Sequence, residues 1–153
     1  MATAPAGPVL FAYDGSELAK LAIEEAGRQL APGREALIAC VWQPVDVGFV
    51  PAGERHLDAT QATEVCAAAE EVAAIGAKLA EQAGFEAEGI AVKAAPTWQG
   101  LLELAEERGA SLIVLGSHLR TGIAGRMLGS VASAVVTNSA ASVMVVRSAA
   151  PSS

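Results

Sequence analysis

Four apolar runs, at residues 9–13, 36–42, 111–116 and 142–146, are separated by stretches long enough for a helix, and this spacing restricts the fold more than any other feature of the chain. A fifth, poorer run spans residues 87–92. Short apolar runs bounded by Gly, Pro, Asp and Ser read as buried strands. Strands alternating with helices require a parallel sheet with helices on both faces.

The punctuation between runs places the helices. After Tyr13, Asp14-Gly15-Ser16 reads as a tight turn, with Asp14 or Ser16 as cap and Glu17 in the first helical turn. Leu18, Leu21, Ala22 and Ala26 then share one face, and Pro32-Gly33 ends the helix. Residues 60–84 are rich in Ala and Glu and predict a long helix in which Gly76 is a weak point. Pro96-Thr97 opens a third helix with Trp98, Leu101, Leu102 and Ala105 on one face, and Gly109 closes it. A last helix begins near Gly129-Ser130, with Val131, Ala134 and Val135 facing inward. Residues 44–59 and 117–128 read as loops.

A chain of 153 residues is one domain's worth, so residues 1–148 are expected to form a single domain and 149–153 a flexible tail. At 52% hydrophobic residues the chain is too apolar to be disordered. Its net charge of -7 argues against nucleic-acid binding, which needs a basic face. No run of 18 uncharged apolar residues is present, so no membrane span is expected. Met1 to Pro8 lacks both a charged start and an apolar run, so no signal peptide is expected either. Cys40 and Cys66 form no framework or metal spacing and are expected as free thiols in a reducing, cytoplasmic compartment.

Charge is unevenly spread. Glu107 is the last acidic residue, and beyond it lie Arg108, His118, Arg120, Arg126 and Arg147. Such a segment can receive a small anion, or can simply be a buried strand and helix that carry no charge.

In a doubly wound sheet, ligands bind beyond the carboxyl ends of the strands, where strand order reverses. Two loops qualify: Tyr13-Asp14-Gly15-Ser16, and the segment from Gly116 to Gly129-Ser130. Glycines let backbone amides approach an oxyanion, and a helix start at Gly129-Ser130 offers free N–H groups and the positive end of the dipole. Gly116 can equally just end a strand and Ser130 just cap a helix. Asp14 can hold Mg2+, accept from a ribose hydroxyl, or cap the first helix.

Other chemistry finds no support. Neither GxxxxGK[ST] nor GxGxxG is present, and His56, His118 and the two cysteines give no catalytic or metal signature. Trp42 and Trp98 read as packing residues, although Trp42 stands where it can border the same crevice.

The stretch Val9-Leu-Phe-Ala-Tyr-Asp-Gly-Ser16, then Leu112-Ile-Val-Leu-Gly-Ser-His118, Gly129-Ser-Val131 and Val143-Met-Val-Val146 resemble the universal stress protein family. The resemblance implies a three-layer α/β sandwich with a five-stranded parallel sheet, a Rossmann-like adenine-nucleotide fold. It implies ATP, or ADP or AMP, with Mg2+ as an accompanying ion, and a homodimer paired through the last strand. By position, Ala12, Tyr13 and Asp14 would line the adenosine end, with Asp14 near the ribose or the metal and Tyr13 large enough to crowd or stack on the base. Val41 would touch adenine through its backbone. Gly116, Gly129 and Ser130 would hold ribose and phosphates, with Val131 beside them. The family's nucleotide-binding pattern is Gly, two residues, Gly, nine residues, Gly, Ser or Thr. Leu119 stands at its second glycine, where a side chain is strained or obstructive if positive φ or close phosphate approach is needed.

Three functions follow from this reading. The first is a non-enzymatic regulatory module of the stress response that responds to an adenine nucleotide. The second is a dimeric interaction module without nucleotide, favoured by Leu119. The third is an enzyme, a slow ATPase or a nucleotide-dependent transferase, ranked last because no residue set supplies a general base with an electrophilic clamp.

Overall fold

β1 (Val9–Ala12) is the central strand of the fold, and Val9, Leu10 and Phe11 have no exposed surface. The computed structural model describes residues 7–43, 59–117, 120–122 and 125–147. Around β1 a five-stranded parallel sheet runs in the order β3-β2-β1-β4-β7. Its other strands are β2 (Glu35–Trp42), β3 (Glu86–Lys93), β4 (Leu112–Ser117) and β7 (Ser142–Arg147). Strand order grows outward in both directions from the β1–β4 pair, which is therefore the switch point.

The period of two along each strand assigns side chains to two layers. Val9, Phe11, Ile38 and Val114 face α1 (Glu17–Gln29) and α2 (Ala59–Gln82), meeting Ala22, Ile23, Ala26 and Ala80. Phe11 and Phe85 meet edge to face with centroids 5.2 Å apart. Leu10, Leu37, Ile113 and Leu115 face α3 (Thr97–Arg108) and α4 (Ser130–Asn138), meeting Leu101, Leu104 and Val135. The three-layer α/β architecture expected from the sequence is thus observed.

Several local expectations change. Within residues 117–128, where the sequence predicts a loop, β5 (Arg120–Gly122) and β6 (Gly125–Met127) pair antiparallel. In α4 it is Ala132, not Ala134, that is buried with Val135, while Val131 is half-buried. Leu104, rather than Leu102, is buried with Leu101 and Ala105 on α3. Gly76 is not a weak point but a point of contact. A Cβ there would lie 2.6 Å from Ile38 Cγ2 and 2.7 Å from Tyr13 Cδ2, so glycine lets α2 settle on the sheet. Residues 44–58, including His56, and the tail 148–153 lie outside the described residues.

Candidate functional site

Beyond the carboxyl ends of β1, β2 and β4, the starts of three helices converge on one crevice of about 270 Å3. That is just below the range of small-molecule clefts, about 300–1,000 Å3. Ser16 comes from the start of α1, Thr97 from α3 and Ser130 from α4. The wall on the α3–α4 side is apolar, built by Ala12, Ala39, Val41, Leu101 and Leu115.

The start of α4 is the polar end. Its cap residue, Gly129, makes no side-chain capping bond, and its carbonyl accepts the first helical bond from Ser133 at 2.9 Å. Ser130, Val131 and Ala132 come before that donor, so their N–H groups belong to the unpaired first turn, at the positive end of the helix dipole, on the lining of the crevice. Gly129's own N–H is already taken. It donates to Ser117 Oγ at 2.8 Å, and Ser117 is buried. This bond fixes α4 against the end of β4.

The Asp14-Gly15-Ser16 turn forms the floor. Asp14 Oδ1 accepts from the Ser16 N–H at 2.9 Å, and Gly15 holds φ at +84°. Ser16, not Asp14, caps α1, its Oγ accepting from Ala19 N at 3.1 Å. Asp14 is the one carboxylate among the described lining residues. Among the described residues no group of three His, Cys, Asp or Glu gathers into a metal site.

All eight residues singled out from the sequence, Ala12, Tyr13, Asp14, Val41, Gly116, Gly129, Ser130 and Val131, line this crevice. Their local roles differ from those expected in two cases. The ring of Tyr13 turns away from the α3–α4 side and packs against Ile38 beneath Gly76, so it does not stack on a ligand held against the apolar wall. The reason is strand alternation, which sends Tyr13 to the layer of Phe11 while Ala12 faces the other way. Burial, then the negative charges of Asp14 and Glu17, push the Tyr13 phenol above its ordinary value. Gly116 is needed for packing, because a Cβ there would sit 2.7 Å from Leu18 Cγ and 3.0 Å from Leu18 O. Gly129 has no such crowding, the nearest atom to a Cβ being Ser117 Oγ at 3.4 Å.

Trp42 does not border the crevice. It packs on the α2 side with Cys40, Ala69 and Ala73, and Lys93 Nζ stands 5.8 Å from its ring centroid. Trp98 packs against the α3–α4 layer. Arg108 is engaged with Glu88 at 2.6 Å. His118 and Leu119 lie outside the described residues, and of Arg120 and Arg126 only the backbone is described. Sequence reasoning missed Thr97 and Leu101 as lining residues and Ser117 as the anchor of Gly129. The signal for Ser117 was its place between a strand end and a glycine twelve residues on.

Residues 6–147 match the model of the Universal stress protein family. A universal stress protein solved in complex with cAMP is 27% identical, with a TM-score of 0.64 over 95% of this chain and 100% of that one. The hypothetical protein MJ0577 is 26% identical, with a TM-score of 0.68 over 94% of this chain and 97% of that one. A universal stress protein from Archaeoglobus fulgidus, 20% identical with a TM-score of 0.64 over 91% and 92% of the two chains, shares the fold. No curated protein matches.

Proposed function

The chain belongs to the universal stress protein family, and on that premise we propose that it is a regulatory module of the stress response that binds an adenine nucleotide, ATP or its ADP or AMP forms, and does not run a metabolic reaction. The observation that carries this is the uncapped start of α4 opening into an apolar crevice at the switch point of the sheet. An apolar wall takes a base, and three backbone N–H groups at a helix start take a phosphate. The relative in complex with cAMP supports an adenine nucleotide as the class.

Ligand binding that favours one conformation then shifts a dimer or a partner surface. A homodimer through β7 fits a strand that pairs with β4 on one side only. Mg2+ would come with the nucleotide, since one carboxylate, Asp14, suits an ion held mainly by phosphates and water. The free thiols of Cys40 and Cys66 agree with a cytoplasmic protein, and among the described residues no helix is long and apolar enough to cross a membrane.

A second reading, an interaction module without nucleotide, is favoured by Gly116, whose lack of a side chain is already explained by Leu18. Two experiments separate the readings. The purified protein is denatured and released small molecules are quantified by mass spectrometry. Near-stoichiometric ATP, ADP or AMP supports the first reading; no nucleotide, together with no thermal shift on adding millimolar Mg-ATP, supports the second. Gly129→Val should abolish ATP binding while the dimer persists, and unchanged affinity in that variant removes the α4 start from the site.

A further inference from the structure

Thr97 is the one polar side chain on an otherwise apolar side of the crevice. The described lining residues from β2 and α3 are Ala39, Val41, Thr97 and Leu101. The opposite side, from β4 and α4, carries Ser117, Gly129 and Ser130. If the phosphate sits at the N–H groups of α4, the base lies across β1 at the β2–α3 side, and Thr97 meets its edge. Gly100 holds that position by close packing. A Cβ on Gly100 would lie 2.4 Å from Ala94 Cβ and 3.6 Å from Val41 Cγ1, so α3 is seated on the ends of β2 and β3.

Hydrogen bonding sets the polarity of the hydroxyl. Gln43 Nε2 donates to Thr97 Oγ1 at 3.2 Å. A threonine hydroxyl has a single proton to give. Among the described residues none accepts it. Gln43 thus occupies one of the two lone pairs of the Thr97 oxygen, and the hydroxyl proton keeps no acceptor among the described residues.

We infer that Thr97 is a base-reading residue, donating its hydroxyl proton to a ring nitrogen of the purine, with Gln43 holding the hydroxyl in the donating orientation. The inference rests on the nucleotide reading of the crevice. It names a specificity-determining side chain where the other lining side chains on that side, Ala39, Val41 and Leu101, are apolar. Apolar walls accept any flat ring, whereas a directed donor rewards an acceptor atom at one position of the ring.

The test is calorimetric titration of Mg-ATP and its 1-deaza, 3-deaza and 7-deaza analogues, each with a CH in place of one ring nitrogen. Against the wild-type protein, one analogue should bind about 5-fold more weakly than ATP, the worth of one hydrogen bond. Thr97→Val, nearly isosteric without the hydroxyl, should weaken ATP by a similar factor and bind ATP and that analogue alike. Thr97→Ser should retain the wild-type preference. Equal wild-type affinity for all four ligands overturns the inference without any variant, and so does a Thr97→Val protein that discriminates among them as the wild type does. If the wild type binds none of the four, the nucleotide reading itself fails and this assignment falls with it; if it binds them without discrimination, only the role of Thr97 falls.

Discussion

Ser117 Oγ accepts the backbone N–H of Gly129 at 2.8 Å, joining the last residue of β4 to the cap residue of α4. One hydroxyl thus sets where the first turn of α4 points. Ser117→Ala leaves the Gly129 N–H without this acceptor and should cost about 1 kcal/mol of stability. It should also weaken nucleotide binding, because the N–H groups of Ser130 to Ala132 lose their fixed direction. Urea unfolding and calorimetric titration measure the two effects, and an unchanged unfolding midpoint would show that the bond contributes nothing.

Much of this arrangement is legible in the sequence, for physical reasons. Central parallel strands are buried on both faces, so β1, β2 and β4 appear as unbroken apolar runs. The edge strand β3 has exposed Glu86, Glu88 and Lys93 and is correspondingly faint. Helix starts at Ser16 and Gly129, and the stop at Gly109, follow from local backbone chemistry. What escapes is whatever depends on distant contacts. The three-residue strands β5 and β6 carry no apolar run to announce them. Gly76 looks like a helix defect until Tyr13 and Ile38 are seen beneath it. Thr97 looks like an ordinary helix-start residue until β2 brings Val41 and Gln43 beside it. The direction of the Tyr13 ring was available from the period of two, which continues past the end of the strand.

Gly116 and Gly129 both line the crevice but should respond differently to a methyl group. At Gly116 the new Cβ meets Leu18, including its backbone oxygen at 3.0 Å, so Gly116→Ala should destabilise the fold by about 1–3 kcal/mol. At Gly129, with φ of -61° and only Ser117 Oγ within reach at 3.4 Å, the same change should alter stability by less than about 1 kcal/mol. Its effect should fall on phosphate binding instead. Denaturation curves for the pair check this, and equal losses would contradict the assigned division between packing and binding.

Gly76→Ala offers a test in which two effects have opposite signs. Helix propensity alone favours alanine by about 0.8–1.0 kcal/mol. Steric conflict opposes it, because the neighbours at 2.6 and 2.7 Å are the buried Ile38 methyl and the Tyr13 ring, neither at the end of a flexible chain. Overpacking of this kind costs about 1–3 kcal/mol, so a net loss is expected. A gain in the unfolding midpoint would mean that α2 lifts from the sheet at little cost. Because Tyr13 also belongs to the turn that lines the crevice, Gly76→Ala should weaken nucleotide binding through the position of residues 13–15.

Alkaline pH should destabilise the protein through the same region. Burial first, then the charge of Asp14, raises the Cys40 thiol above its ordinary value of 9.0. Burial first, then Asp14, Glu17 and Cys40, raises the Tyr13 phenol above 10.0. Cys66 is also raised, by burial and then Glu70. In each case the folded chain holds its proton more tightly than the unfolded one. The associated stability is fully present below the unfolded value and is lost as pH rises from there through the folded value. Urea midpoints should therefore hold steady up to about pH 8 and fall above the ordinary thiol range. Cys40→Ala and Tyr13→Phe, each made in a Cys66→Ser background, should flatten that fall, the first beginning near pH 9 and the second about one pH unit higher. Asp14→Asn should flatten it in part, since one negative charge raises both groups. If the slope is the same in the parent and in all these variants, the alkaline loss does not originate beneath the crevice.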